Sequence, residues 1–289
     1  MTTAGRCGLS EDFSFHRTRK RFGQHWLIDQ QVLSSIVAAA ALGPGDRVLE
    51  VGPGRGALTA ELLASPALAV HAIELDRDLV SGLRRRFAGE PRFHLLSGDV
   101  LRLDLPPANK VVANIPYNIT GPLLEVLVGR LDRPLVDPYT RLVLLVQREV
   151  GERIRARAGS SCYSALSVRM QLLCRCSLVC PVPPRCFDPP PKVHSEVIAL
   201  EPLPPVDRLE SGIARTVESL LRRTFASRRK MLRNTLSGLL NEPELAAWAA
   251  AAGISLQQRP QELPPAAWVA LAAGLNRAQQ RDAGAGANG

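Results

Sequence analysis

The sequence predicts an α/β fold, a mostly parallel sheet of seven strands wound on both faces with an antiparallel edge hairpin, followed by a smaller all-helical domain. Three observations carry this. Between residues 47 and 147, short apolar runs alternate with amphipathic stretches, as in repeated strand–helix units around a parallel sheet. A glycine-rich segment, Gly52-Pro53-Gly54-Arg55-Gly56, follows the first of those runs, where such folds turn from strand to helix. Beyond residue 207 apolar side chains recur only at helical spacing.

In order, Asp29 suits the N-cap of a first helix with apolar positions Val32, Leu33, Ile36 and Val37, ended by Gly43-Pro44-Gly45. Strands are expected at 47–51, 69–73, 93–96, 110–113 and 141–147, with helices after the first, second, fourth and fifth. A helical stretch near 163–173 precedes two runs, 178–182 and 195–200, that read as the edge hairpin. Residues 201–207, Glu-Pro-Leu-Pro-Pro-Val-Asp, are a proline-rich linker. Four regions result: 1–16, without periodicity and expected to be disordered; 17–203, the sheet domain with a basic N-terminal arm; 204–281, the helical domain; and 282–289, a disordered Ala/Gly tail. Pro243 and Pro264 or Pro265 suit first turns of late helices, and Gly253 a C-terminal stop.

The formal charge of +9 rests on arginine far more than lysine. Guanidinium groups match phosphate forks and stack on bases, so nucleic acid is the leading partner. The basic side chains cluster at Arg17, Arg19, Lys20 and Arg21, and again at Arg222, Arg223, Arg228, Arg229, Lys230 and Arg233. The six cysteines match neither a zinc knuckle nor a CxxC redox pair, so no metal is expected and the thiols read as small apolar fillers in a reducing cytosol. No run reaches the roughly 18–20 apolar residues of a membrane span. The N-terminus has no secretory h-region, and a cytoplasmic protein is expected.

The chemistry concentrates at strand ends. Glycines at 52, 54 and 56 let a ligand approach the backbone; their spacing, GxGxG rather than GxGxxG, leans towards a nucleoside ligand without a diphosphate, although a pyrophosphate site or a structural turn fits the same residues. Glu74 ends the second strand, where a carboxylate can accept from two ribose hydroxyls; Asp99 follows the third and can accept from an adenine amine. Asn114-Ile115-Pro116-Tyr117 follows the fourth. Its amide oxygen and a backbone carbonyl can accept from an exocyclic amine, the tyrosine can stack on the ring, and the proline stiffens the turn. Ligands of open α/β sheets bind outside the carboxyl ends of the strands, and four site-type residues share that edge.

These motifs resemble those of the class I S-adenosylmethionine (SAM) methyltransferases, whose domain is Rossmann-like. More narrowly, the chain resembles the KsgA/RsmA-type small-subunit rRNA adenine N6,N6-dimethyltransferases. The likeness runs from Arg19-Lys20-Arg21-Phe22-Gly23-Gln24-His25-Trp26-Leu27 through Glu50–Gly56, Ile73–Asp76, Gly98–Val100, Asn114–Ile119 and Gln147–Val150. It continues through Phe187-Asp188-Pro189-Pro190-Pro191-Lys192-Val193 and Arg228–Asn234, covering about residues 17–275. It implies dimethylation of two adjacent adenosines in the loop of the 3′-terminal hairpin of 16S rRNA during ribosome biogenesis, with SAM as methyl donor and an immature small subunit as partner of a monomeric enzyme. It implies cofactor contacts at His25, Leu27, Gly52, Gly54, Glu74, Asp99 and Asn114, adenine contacts at Asn114, Tyr117 and Phe187, and RNA contacts from both basic clusters. His25 stands where the commoner pattern has Asn, and Trp26 where Phe is usual. Of the other readings, a macrolide-resistance 23S rRNA methyltransferase is nearest, set apart by Lys192-Val193-His194-Ser195 and Arg228-Arg229-Lys230. A DNA adenine methyltransferase, an assembly factor acting by RNA binding, and a nicotinamide dehydrogenase are the others.

Overall fold

The computed structural model describes residues 25–285, with side chains described as far as residue 278. The stretch 1–16, the basic run containing Arg17, Arg19, Lys20 and Arg21, and residues 286–289 lie outside the described residues.

The chain begins with β1 (Trp26–Leu27) and α1 (Gln30–Ala40), then alternates through β2 (Arg47–Val51), α2 (Ala57–Ala64), β3 (Ala69–Glu74), α3 (Arg77–Arg86), β4 (Phe93–Ser97), β5 (Lys110–Asn114) and α4 (Thr120–Val128). A short hairpin, β6 (Gly129–Arg130) and β7 (Arg133–Pro134), leads to β8 (Arg141–Gln147), α5 (Arg148–Ile154), α6 (Ala165–Leu173), β9 (Cys174–Val182), β10 (Phe187–Asp188) and β11 (Ser195–Pro202). The remainder is helical: α7 (Ser211–Phe225), α8 (Leu232–Thr235), α9 (Glu242–Ala251) and α10 (Pro265–Ala285).

Seven strands form one sheet in the order β4-β3-β2-β5-β8-β11-β9. Pairing is parallel from β4 across to β8, and β11 runs antiparallel to β8. The central strands are mostly apolar because both faces are covered. Val48, Val112 and Val143 on one face and Leu49, Val111 and Leu142 on the other are all fully buried. Each such side chain contributes about 1.5–3 kcal/mol on burial. The expected cap on α1 is present: the Asp29 carboxylate accepts from the Val32 N–H at 3.0 Å. From β2 the chain steps outward to β3 and β4, then crosses back to β5 on the other side of β2, so the sheet's topological switch point lies at the carboxyl ends of β2 and β5.

The described chain divides into two compact units. The first comprises 25–127, 138–151 and 177–201; the second comprises 128–137, 152–176 and 202–285. The second thus includes the β6–β7 hairpin and α6 besides everything beyond the linker. A buried charge explains why. Glu218 on α7 accepts from Arg169 of α6 through both oxygens at 2.8 Å, with Arg130 of β6 at 4.0 Å. A carboxylate removed from water needs such partners wherever the sequence provides them. The core of this unit centres on fully buried Trp268, whose ring lies 5.8 Å from Phe225. Pro243 occupies the first turn of α9, Pro265 opens α10, and Gly253 (φ +70°) follows the end of α9. The helix α10 continues through 282–285, residues expected to belong to the tail.

The sequence of the second unit holds 18 of the 36 Lys and Arg residues but only 10 of the 27 acidic ones. The positive excess is therefore concentrated there.

Candidate active site

The glycine turn after β2 is built by conformation. Gly52 (φ +68°) and Gly54 (φ +59°) occupy the left-handed region, and a Cβ on Gly54 would lie 2.9 Å from Trp26 Cδ1. Trp26 therefore packs directly on the turn, and the Arg55 guanidinium lies 3.7 Å over its ring while pairing with Asp188 at 3.4 Å.

Glu74, the last residue of β3, ties this turn to its neighbour. One carboxylate oxygen accepts from the Gly54 N–H at 3.1 Å and the other from the Asp76 N–H at 2.9 Å. Burial pushes its pKa up against the pull of those donors. Glu50, near the end of β2, is buried outright and accepts from the Thr59 hydroxyl at 2.7 Å. Desolvation, opposed by that hydrogen bond and reinforced by the Glu74 charge, pushes Glu50 up to about 8, so it is a neutral acid at pH 7. After β4, Asp99 accepts from the Leu101 N–H at 3.0 Å through one oxygen, and its other oxygen pairs with Arg102 at 3.6 Å.

Asn114 ends β5, and its side-chain NH₂ donates to the His25 carbonyl at 3.1 Å. Tyr117 begins the turn that follows. Its hydroxyl lies 2.6 Å from the Ser195 hydroxyl, its ring stacks with His25 (centroids 5.8 Å apart, 26° between planes), and burial raises its pKa, keeping the phenol protonated. His25 Nδ1 lies 2.8 Å from the Pro189 carbonyl, which can only accept, so that nitrogen carries the proton.

His25, Gly52, Gly54, Glu74, Asp99, Asn114 and Tyr117 all line one cavity of about 170 Å³, at the carboxyl ends of β2 to β5. Trp26, Leu75, Leu79, Val100, Leu101 and Ile115 add its apolar walls. Two expected site residues are placed differently. Leu27 and Phe187 oppose each other in a two-strand ladder, β1 with β10, and both are buried in the core with Val32, Leu33 and Leu58 rather than lining the cavity. Their side chains pack in that core, and a backbone contact from Leu27 is unaffected.

Sequence reasoning missed Ser195 as the partner of Tyr117, since 78 residues separate them and nothing local marks the pair. In the second unit, Arg222, Arg223, Arg228, Arg229, Lys230 and Arg233 are exposed, although not all are free to meet a ligand. Arg223 donates to the carbonyls of Thr235 and Ser237, bracing α8, and Arg222 lies 3.9 Å from Glu218. Among the described residues no group of three or more His, Cys, Asp or Glu side chains could hold a metal, and no helix is long and apolar enough to cross a membrane.

The family model described as Ribosomal RNA adenine dimethylase matches residues 15–276. A Parasynechococcus marenigrum protein named Ribosomal RNA small subunit methyltransferase A is 71% identical over 270 residues, covering 92% of this chain and 89% of that protein. One of the same name from Prochlorococcus marinus is 67% identical over 275 residues, covering 93% and 98%. Among solved structures, a dimethyladenosine transferase from Plasmodium falciparum superposes with a TM-score of 0.74 at 28% identity, covering 88% of this chain and 98% of that one. The 23S rRNA methyltransferase ErmE gives 0.69 at 26% identity, covering 87% and 99%.

Proposed function

Because the chain belongs to the ribosomal RNA adenine dimethylase family, we propose that it dimethylates N6 of two adjacent adenosines in the loop of the 3′-terminal hairpin of small-subunit (16S) rRNA. It acts on the immature subunit in the cytoplasm, as a monomer. The observation that carries the reading is the convergence of the glycine turn, Glu74, Asp99 and the Asn114–Tyr117 turn on one cavity at the sheet's switch point.

The residues fit S-adenosylmethionine. Gly52 and Gly54 line the cavity in left-handed backbone that carries no side chain, which lets a ligand approach the turn closely, and the Glu74 carboxylate retains lone pairs beyond the two backbone donors it satisfies, which suits ribose hydroxyls. Asp99 suits the cofactor's adenine amine, and His25 and Leu27 contribute through backbone. When bound, the cofactor supplies a methyl on a sulfonium that is already electrophilic, so the chemistry calls for no metal.

The protein's task is alignment. With its NH₂ held by the His25 carbonyl, the Asn114 amide presents its oxygen as acceptor. That oxygen and the Ile115 carbonyl take the N6–H groups of the target adenine, favour a pyramidal nitrogen and stabilise the charge that develops on it. The resulting ammonium is acidic and loses its proton to water without a protein base. Extruding the base costs a few kcal/mol, and stacking on Tyr117 offsets about 1–3 kcal/mol of it. The exposed arginines of the second unit hold rRNA phosphates.

The test incubates the protein with labelled SAM and unmethylated small subunits and maps the modified nucleosides. N6,N6-dimethyladenosine at two adjacent positions is expected. Asn114→Ala should reduce transfer at least ~100-fold while still binding subunits. Methylation of large-subunit rRNA instead would favour the ErmE-like alternative, against which the 71% and 67% identical relatives named for the small subunit already weigh. An assembly factor acting by binding alone would show no methyl transfer at all.

A further inference from the structure

We propose that Ser195 and His25 are positioning residues on the acceptor side of the cavity, holding Tyr117 and Asn114 in place through both methyl transfers. This rests on the reading above and adds residues that the sequence motifs do not assign to the acceptor.

Tyr117 lies on a short 3₁₀ turn, Tyr117–Ile119, that by itself leaves its ring free to pivot. Two contacts remove that freedom. Ser195 is 1% exposed and opens β11, opposite Gln147 of β8; β8 in turn pairs with β5, which carries Asn114. The hydroxyl that meets Tyr117 at 2.6 Å is therefore mounted on the same sheet as the acceptor amide. A phenol bonded at its far end to a rigid strand keeps the long axis of its ring in place, and stacking with His25 sets the plane, as stacking on a base requires.

His25 joins both acceptor residues. Its carbonyl holds the Asn114 amide at 3.1 Å, its ring stacks with Tyr117, and its Nδ1–H donates to the Pro189 carbonyl at 2.8 Å. His25, next to β1 in the chain, thus links the β1–β10 ladder to the Asn114–Tyr117 turn. A side chain without a ring at this position would have nothing to lay against Tyr117. The imidazole is accordingly assigned to the acceptor side, leaving only the backbone of residue 25 for the cofactor.

The consequence concerns the second methylation. A base held in one orientation can present its monomethylated nitrogen again, whereas a loosely held base leaves after one transfer. The experiment measures the ratio of N6-monomethyl to N6,N6-dimethyladenosine in small-subunit rRNA, together with SAM affinity, for Ser195→Ala, Tyr117→Phe and the double variant. Tyr117→Phe cuts the same hydroxyl pair from the other side, so the test survives should Ser195→Ala fail to fold. Each single variant should accumulate the monomethyl product and slow transfer about 5–10-fold, the loss of one hydrogen bond. The double variant should be no worse, and SAM affinity should stay within about twofold of wild type. His25→Ala should also accumulate monomethyl product, and His25→Phe, which keeps a ring, should recover part of the dimethylation. Losses that add in the double variant, a fall in SAM affinity parallel to activity, or an unchanged product ratio would each overturn the proposal. A wild-type protein that methylates nothing would instead defeat the reading on which it rests.

Discussion

Glu50→Gln isolates the electrostatics of the strand end that leads into the glycine turn. The wild-type carboxyl is fully buried, accepts one hydrogen bond from Thr59, and titrates at about 8 against an ordinary 4.5. Below pH 4.5 both folded and unfolded chains hold the proton. Between 4.5 and 8 the unfolded chain releases it and the folded chain keeps it, so stability falls as pH rises; above 8 both are ionised and the loss is complete. One pKa unit corresponds to ~1.4 kcal/mol, so the wild type should lose about 4 kcal/mol between pH 5 and pH 8 from this group alone. Water reaching the ionised carboxylate lowers that figure. Glutamine keeps the shape and the acceptor for Thr59 but has no proton to lose. The assay is urea unfolding of the cofactor-free protein and of Glu50→Gln at pH 5 and pH 8. The stability gap should widen by several kcal/mol in favour of the variant at the higher pH. Parallel pH profiles for the two proteins would refute the argument, since they would mean that Glu50 is ionised in the folded state at neutral pH.

Two further outcomes are expected. Gly54→Ala forces a left-handed backbone on alanine and sets its Cβ against Trp26, costing about 1–3 kcal/mol of strain; thermal unfolding should shift down by several degrees and SAM affinity should weaken, and a variant with wild-type values for both would contradict the close-approach account. Neutralising Arg228, Arg229, Lys230 and Arg233 together should weaken RNA binding and flatten its dependence on log salt by up to about 3, with SAM affinity unchanged; loss of SAM binding in that variant would reject the division of labour between the units.

Much of the fold follows from local pattern. The apolar runs at 47–51, 110–113 and 141–147 read as buried strands because both faces of a central parallel strand are covered, and the structure has them within a residue of those bounds. Asp29, Pro243 and Gly253 are legible for a similar reason: caps and stops act within a few residues of themselves. The site edge is legible because chain order and the switch-point rule bring Gly52, Glu74, Asp99 and Asn114 to one end of the sheet without knowledge of any side-chain contact.

What the sequence determined by itself, then, is which residues stand at the carboxyl ends of the strands, since periodicity and turn chemistry are short-range. Only the tertiary structure decided which of them meet. The two-residue strands β1 and β10 are too short to carry a periodic signal, yet their pairing sends Phe187 into the core and brings His25 beside Pro189. The Tyr117–Ser195 hydroxyl pair, the buried Glu218–Arg169 bridge and the neutral Glu50 depend on burial and on contacts between distant segments. Desolvation is a property of everything packed around a group, and no window of neighbouring residues contains it.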